Sequence, residues 1–463
     1  MSILAMPITI ITPNETFTLD VEPSDSIDTV KGLVEQQTSI AQARQIITFN
    51  GQALENGRSL SDYNVQKNSI LNVAKSNVAP SLSVSAWESL GSTRFAGSSN
   101  SGNHSRIRLD ANDVPWVIFA DTSEHNGSVM KFNGTDWEYV GNKNIANGDI
   151  YYTDIIFDSN NTPYISFADE GNSGRLRVLS FNGSNWNDVG SLISSGLGFY
   201  SNLAFDNNGV LHVVYNDSNF SNKAVLKKYN GANWVRVGVE GFSLAKAAYT
   251  DLAFDSTNTP YVSFRDFSLD STSASVMSFD GSSWEYVGKA GVSNVEGNYT
   301  NIAIDSKDNI LLSTKTEISR LTKRLSLYKF DGTSWTILHE DITGDAVFSP
   351  DFVLGKNDIP FIFVTDYGVD PNRGSVVTYQ NNSWQFVGAR GFSEAFTDFN
   401  RIALDSQNTP YVFYADGNSL AQGTVKKYTS TSFSDSSQSI NQGISIGNPF
   451  QDVKVSDNDD DNV

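Results

Sequence analysis

One aromatic position recurs through most of this chain: Trp87, Trp137, Trp186, Trp234, Trp284, Trp335, Trp384 and finally Phe433, at intervals of 48 to 51 residues. A period of that length holds one supersecondary unit, which cannot bury its apolar faces without neighbours. The fourth unit reads YTDLAFD-STNTP-YVSFRD, then a variable loop, then SVMSFDGSSWEYVG. Four short β-rich runs are bounded there by turn signals. The last two are joined by Asn-Gly or Asp-Gly, the type I′ chemistry in which both central residues take positive φ. No helical period occurs in the unit.

Four antiparallel strands repeated at about 50 residues predict a β-propeller, here of seven blades over residues 87–433. The first three strands occur seven times and the Trp strand eight times, with an intact copy, SAWESLG, at the start and a degenerate one, TSTSFSDSS, at the end. Trp87 is therefore expected to supply the outer strand of the last blade and close the ring. The repeat resembles propeller repeats of bacterial proteins; it lacks the G-H and W-D landmarks of WD-type repeats. That resemblance implies a fold and says little of activity, because propellers host many unrelated functions.

Residues 5–77 form a different unit, with strand-like alternation around Ile8, Ile10, Phe17 and Leu19, a turn at Pro13-Asn14-Glu15, and a helix opening at Ser26 with Ile27, Val30 and Val34 at helical spacing. Strands are expected near 46–49 and 70–73. The segments TLDVEPSDSIDTVK and NGQALENGRSLSDYNVQKNSILNV resemble ubiquitin across nearly the whole unit. The resemblance implies an α+β β-grasp fold with Ile27, Val30, Leu54, Leu60, Val65 and Leu71 in its core. It does not imply conjugation, because Ala79-Pro80 stand where the terminal Gly-Gly would be and the chain continues. The apolar recognition patch is changed to Thr48, Asn72 and Ala74, and of the chain-forming lysines only Lys31 and Lys67 are matched. A structural or docking module is the expectation, with a ubiquitin-like signalling adaptor as the alternative.

The chain is thus read as multidomain: the ubiquitin-like unit, a small polar linker at 78–86, the propeller, and a disordered acidic tail at 434–463 that ends SDNDDDNV. The 52 acidic against 32 basic side chains give a net charge of -20, so nucleic acid and anionic membrane are not expected as partners. No apolar run reaches the roughly 20 residues that span a bilayer, and no positive stretch opens the chain, so a cytoplasmic monomer is expected, with secretion as the alternative. The absence of Cys removes disulfides, thiolate metal sites and a Cys nucleophile.

The four histidines, His104, His125, His212 and His339, fall at unrelated places in the repeat and suggest neither zinc nor a shared base. Gly443-Ile-Ser445-Ile-Gly447 matches a nucleophile elbow only in letters, since it sits in a polar tail. No cofactor is expected beyond weak Ca²⁺ attraction by the clustered tail Asp.

Acidic and aromatic residues, by contrast, recur in register. Asp121, Asp169, Asp217, Asp266, Asp366 and Asp416 end the second strands, with Thr316 breaking the series. Fifteen residues before each stand Arg106, Asp154, Asn202, Asp251, Asn301, Asp351 and Arg401. Two residues earlier come His104, Tyr152, Tyr200, Tyr249, Tyr299, Ser349 and Phe399. All three sets are expected at one end of the central channel. Rings beside carboxylates suit glycan recognition, yet recurrence in nearly every unit also suits loop tethers and inter-blade packing. A second series, Asp110, Asp158, Asp206, Asp255, Asp305 and Asp405, opens the turns at the other face. The fifth unit loses its Asp and inserts EISRLTKRLS, placing Arg320, Lys323 and Arg324 beside Lys315 as a basic island. The expected function is non-enzymatic: a scaffold binding a protein or glycan on the channel face. The alternative enzyme is a hydrolase or lyase using paired Asp residues such as Asp251 with Asp266.

Overall fold

Ile8 and Ile10 point inward with Pro7 and Thr9 between them, which makes β1 (Met6–Ile11) a half-buried strand. The computed structural model describes residues 6–12, 15–38, 40, 45–54, 58–75, 86–93, 104–121, 126–319, 322–380, 383–417 and 422–429. Pro13 and Asn14 of the expected turn, linker residues 78–85, His125, Arg320, Ser445 and the acidic tail lie outside them. Two compact units divide the chain, Met1–Val84 and Ser85–Val463.

In the first unit β2 (Thr16–Val21) pairs antiparallel with β1, and α1 (Ile27–Thr38) buries Ile27, Val30 and Val34. Ser26 caps the helix by accepting the Thr29 N–H at 3.1 Å. With β3 (Gln45–Phe49), β4 (Gln52–Ala53) and β5 (Ile70–Lys75) the sheet order is β2-β1-β5-β3-β4, β5 running parallel to β1. All six core positions implied by the ubiquitin resemblance share one buried cluster. A Ser59–Asp62 capping box closes the short 3₁₀ turn of the LSDY segment.

The second unit is all-β, and its described strands form seven four-stranded antiparallel sheets. The second sheet shows the plan: Ile150–Phe157, Pro163–Asp169, Arg175–Phe181 and Trp186–Asp188, each strand pairing with the next. The seventh has only three strands of its own, at 397–404, 410–416 and 422–429. Its fourth is β6 (Ala86–Ser89), with Trp87 opposite Tyr428. Successive sheets bury mixed clusters between them, and the seventh does so with the first, where Phe413 and Val425 pack with Ile107 and Phe119. Arg401 Nε also donates to the Ser105 carbonyl at 2.9 Å, and Ser406 N–H to Asp113 at 2.7 Å, across the same junction.

The recurrent Trp has a specific reason to be Trp. Its indole N–H donates to an outer-strand carbonyl of the preceding sheet: Trp186 to Val140, Trp234 to Val189, Trp284 to Val237, Trp335 to Val287, Trp87 to Val387 and Trp137 to Leu90, at 2.7–3.1 Å. The residue four positions after each donor's predecessor Trp is a positive-φ glycine, such as Gly238, where a Cβ would come within 2.7 Å of the Trp284 indole nitrogen. The fifth sheet has His339 at that position. Trp384 consequently meets the His339 ring edge-on at 5.4 Å and its buried N–H has no acceptor.

Candidate functional site

The innermost strand of each sheet carries the predicted channel residues. In the second to seventh sheets its register slips at a bulge, as between Tyr151 and Asp154. The residue that takes up the bulge is the predicted aromatic. Tyr152, Tyr200, Tyr249 and Tyr299, with His104, Ser349 and Phe399, all hold φ between 47° and 54°. Bulky side chains rarely adopt that conformation. What it achieves is a turned carbonyl: Thr153 Oγ1 donates to the His104 carbonyl, Ser201 to Tyr152 at 2.6 Å, Thr250 to Tyr200 at 2.5 Å, and Thr300 to Tyr249. The bulges of the second, third and fourth sheets, and His104 of the first, are thereby tied to the next sheet.

The rings themselves run on from sheet to sheet. Centroids of Tyr152–Tyr200, Tyr200–Tyr249 and Tyr249–Tyr299 are 4.7, 4.9 and 4.8 Å apart, and His104 links Tyr152 to Phe399 at 5.0 and 5.4 Å. Six half-buried rings thus form one arc, broken at Ser349. The Lys315 ammonium lies there, 5.3 Å from the rings of both Tyr299 and Phe348. Burial pushes the Tyr152 hydroxyl pKa up and lowers His104 to about 4, so the arc's imidazole is neutral at physiological pH.

Below the arc lie Asp154, Asp251 and Asp351. One oxygen of each accepts an inner-strand N–H of the next sheet, from Leu203, Ile302 and Ile402, at 2.8–2.9 Å. Arg106 donates to the other oxygens of Asp154 (Nε, 3.0 Å) and Asp351 (Nη1, 3.1 Å) and so ties three sheets together. The fields of Asp351, Asp154 and Asp251 hold this guanidinium above its ordinary pKa despite burial. Burial lowers the pKa of Arg108 and Arg401, against the opposing pull of Asp154 and Asp351 on both. Burial is the main reason that Asp251 rises to about 6, against the opposing pull of Arg106.

The second-strand series is spent differently. Asp217 accepts the N–H groups of Ser195, Gly196 and Asn219 at 2.8–3.0 Å, and Asp266 accepts Ser268 N–H and the Tyr286 hydroxyl. Asp366 takes Gly368 N–H and the Arg390 guanidinium, and Asp169 takes Asn172 and Arg177. Asp416 is buried in register with Thr397.

Two readings change here. Asp251 lies opposite Ser263, whereas Asp266 lies opposite Ala247, so bulge and register hold the two carboxylates in separate networks. The acidic pair named in the enzymatic alternative is not a pair. The basic island also dissolves among its described members: Arg324 lies 3.7 Å from Glu340 and 3.6 Å from Asp341, Lys323 stands opposite Glu317, and Lys315 turns into the arc. The metal expectation rests on tail residues outside the description; among the described residues no cluster of three metal-ligating side chains occurs. The opposite-face series behaves as expected, Asp158 for instance accepting Asn160 and Thr162 N–H groups.

In the first unit, Thr48 faces Asn72 and Ile46 faces Ala74 across β3 and β5. Among the described residues of this unit the exposed large apolar side chains are Ile11, Ile46 and Ile70, with Ile46 and Ile70 placed towards opposite ends of β5.

Against known proteins, the ubiquitin family pattern matches residues 8–77. Human ubiquitin D is 39% identical over 56 residues, which is 12% of this chain and 34% of that protein. Mouse ubiquitin D is 38% identical over 53 residues, 11% of this chain and 33% of that protein. The aligned part spans about a third of the length of these curated relatives. The N-terminal domain is ubiquitin-like, and an all-β region of four-stranded sheets follows it.

Proposed function

We propose that this chain is a non-enzymatic binding platform: a ubiquitin-like interaction module joined to a seven-bladed propeller whose axial face takes a protein or glycan ligand. The closed ring is supported by the burial of first-sheet and seventh-sheet side chains in one cluster. The observation that carries the binding reading is the continuous arc of six rings, from Phe399 through Tyr152 to Tyr299, half-buried at one end of the inner strands. Rings presented side by side offer stacking faces to a sugar or to side chains of a protein loop.

A hydrolase or lyase reading needs a carboxylate free to attack or to transfer a proton beside a second one. Asp154 and Asp351 share a guanidinium, and Asp266 is engaged by Ser268 and Tyr286. Burial raises both Asp251 and Asp398 to about 6, but Asp251 accepts the Ile302 and Leu252 N–H groups and Asp398 the Phe399 N–H. The platform reading is tested on a glycan array and in affinity capture with wild type and a Tyr200→Ala/Tyr249→Ala variant. A specific hit lost in the variant at unchanged melting supports it. Hits retained by the folded variant contradict an axial site.

A further inference from the structure

At the face opposite the aromatic arc, each sheet passes from its first strand to its second through a turn whose fourth residue holds φ of 59–74°. At six junctions the side chain of that residue is a latch. Its oxygen accepts the N–H of the second turn residue of the preceding sheet: Ala111 to Asn161, Asn207 to Asn258, Ser256 to Asp308, Ser306 to Asp358, Lys356 to Asn408, and Ser406 to Asp113, all at 2.7–2.9 Å. The three serines add a hydroxyl bond to the same carboxylate. Between the second and third sheets the latch position is Gly209, with φ of 74° and no side chain. Ser159, the donor in register, is exposed, and its N–H has no acceptor among the described residues.

The rest of that junction is fastened. On the arc side Ser201 Oγ donates to the Tyr152 carbonyl at 2.6 Å and Leu203 N–H to Asp154 at 2.8 Å, and at the outer strands Trp234 Nε1 donates to the Val189 carbonyl at 2.7 Å. The junction of the fifth and sixth sheets, where the Trp384 indole has no acceptor, keeps its latch. Two sheets bonded at one end and unbonded at the other can pivot about the bonded end. A cleft of about 430 Å³ lies at the unlatched end, lined by Tyr164 of the second sheet and by Phe205, Gly209, Leu211 and Tyr229 of the third, among others. We propose that this junction is a hinge, closed at the arc face and parting at the turn face to widen the cleft, while the six latched junctions stay shut. One exposed hydrogen bond is modest in strength, so the latch shifts a local opening equilibrium by about 10-fold and does not decide whether the sheets assemble. A Cβ at Gly209 meets nothing within 4 Å and asparagine tolerates positive φ, so Gly209→Asn is expected to supply the missing acceptor to Ser159.

The chain has no cysteine, so a single introduced thiol reports opening through its rate of alkylation by iodoacetamide in the full chain. Leu211 and Ile310 open the second strands of the third and fifth sheets, and both are buried. Leu211 packs at the unlatched junction, Ile310 at the latched junction of the fourth and fifth sheets. Gly209→Asn is expected to slow alkylation of Leu211→Cys by about 10-fold and to leave that of Ile310→Cys unchanged. Asp308→Gly, which removes the fourth-to-fifth latch, is expected to speed alkylation of Ile310→Cys by about 10-fold. Each comparison stays within one cysteine background, so the cost of the cysteine itself cancels. A Leu211→Cys rate indifferent to Gly209→Asn, or both thiols slowed alike, would overturn the hinge. Should Gly209→Asn fail to fold, Asp308→Gly decides: acceleration at Ile310→Cys supports the latch logic, and an unchanged rate overturns it.

Discussion

The two units of this chain are legible for opposite reasons. In the first, a contiguous resemblance names the fold and places six core residues, yet the surface that would carry recognition has been rewritten to Thr48, Asn72 and Ala74. In the second, nothing but repetition speaks, and it identifies what every sheet needs. Repetition is a strong guide to architecture because each sheet solves the same packing problem. It is a weak guide to function, since a site used once has no reason to recur.

The sharpest way to break that contrast is at the closure strand. Trp87 stacks on Phe392 at 4.3 Å and donates to Val387. Trp87→Ala should cost about 3–5 kcal/mol by chemical denaturation of the full chain. A loss under about 1 kcal/mol would mean that β6 is an accessory. Next comes Asp217→Ala, which strands the N–H groups of Ser195, Gly196 and Asn219; about 3 kcal/mol is expected from the same measurement. An effect near zero would return that carboxylate to the list of available functional groups.

Asp251→Asn should act in the other direction. Its carboxyl binds a proton more tightly in the folded chain, at about 6, than in the unfolded one, at 3.8. Its contribution is thus intact below about pH 4 and lost as pH rises to about 6. Asparagine already stands at the equivalent Asn202 and Asn301, and it should raise stability at pH 7 by about 1–2 kcal/mol with little change at pH 4. Destabilisation at pH 7 would show that Arg106 outweighs burial. The smallest effect is predicted in the first unit, where Ile46→Ser/Ile70→Ser should shift stability by less than about 0.5 kcal/mol, both side chains being about half exposed.

What escaped the sequence follows from the same logic. The Trp period announced the sheets, but not that each indole is a donor to its neighbour, nor that His339 in place of a glycine disables one of those bonds. The recurring Tyr was visible; the bulge that gives it positive φ was not, and that bulge separates Asp251 from Asp266. Spacing counts residues along one strand, whereas register depends on where an extra residue is inserted. Ile107 and Phe413 lie about 300 positions apart, so only the meeting of first and seventh sheets brings them into one cluster.

The account rests most heavily on a ring that unfolds as one closed unit. Native-state hydrogen exchange of Trp87→Ala tests it directly, read at amides of the fourth-sheet strand Pro260–Asp266, which shares no contact cluster with Trp87. A closed ring predicts that protection there falls by the same factor as in the seventh-sheet strand Pro410–Asp416. Loss confined to the sixth and seventh sheets, with the fourth unchanged, would contradict it.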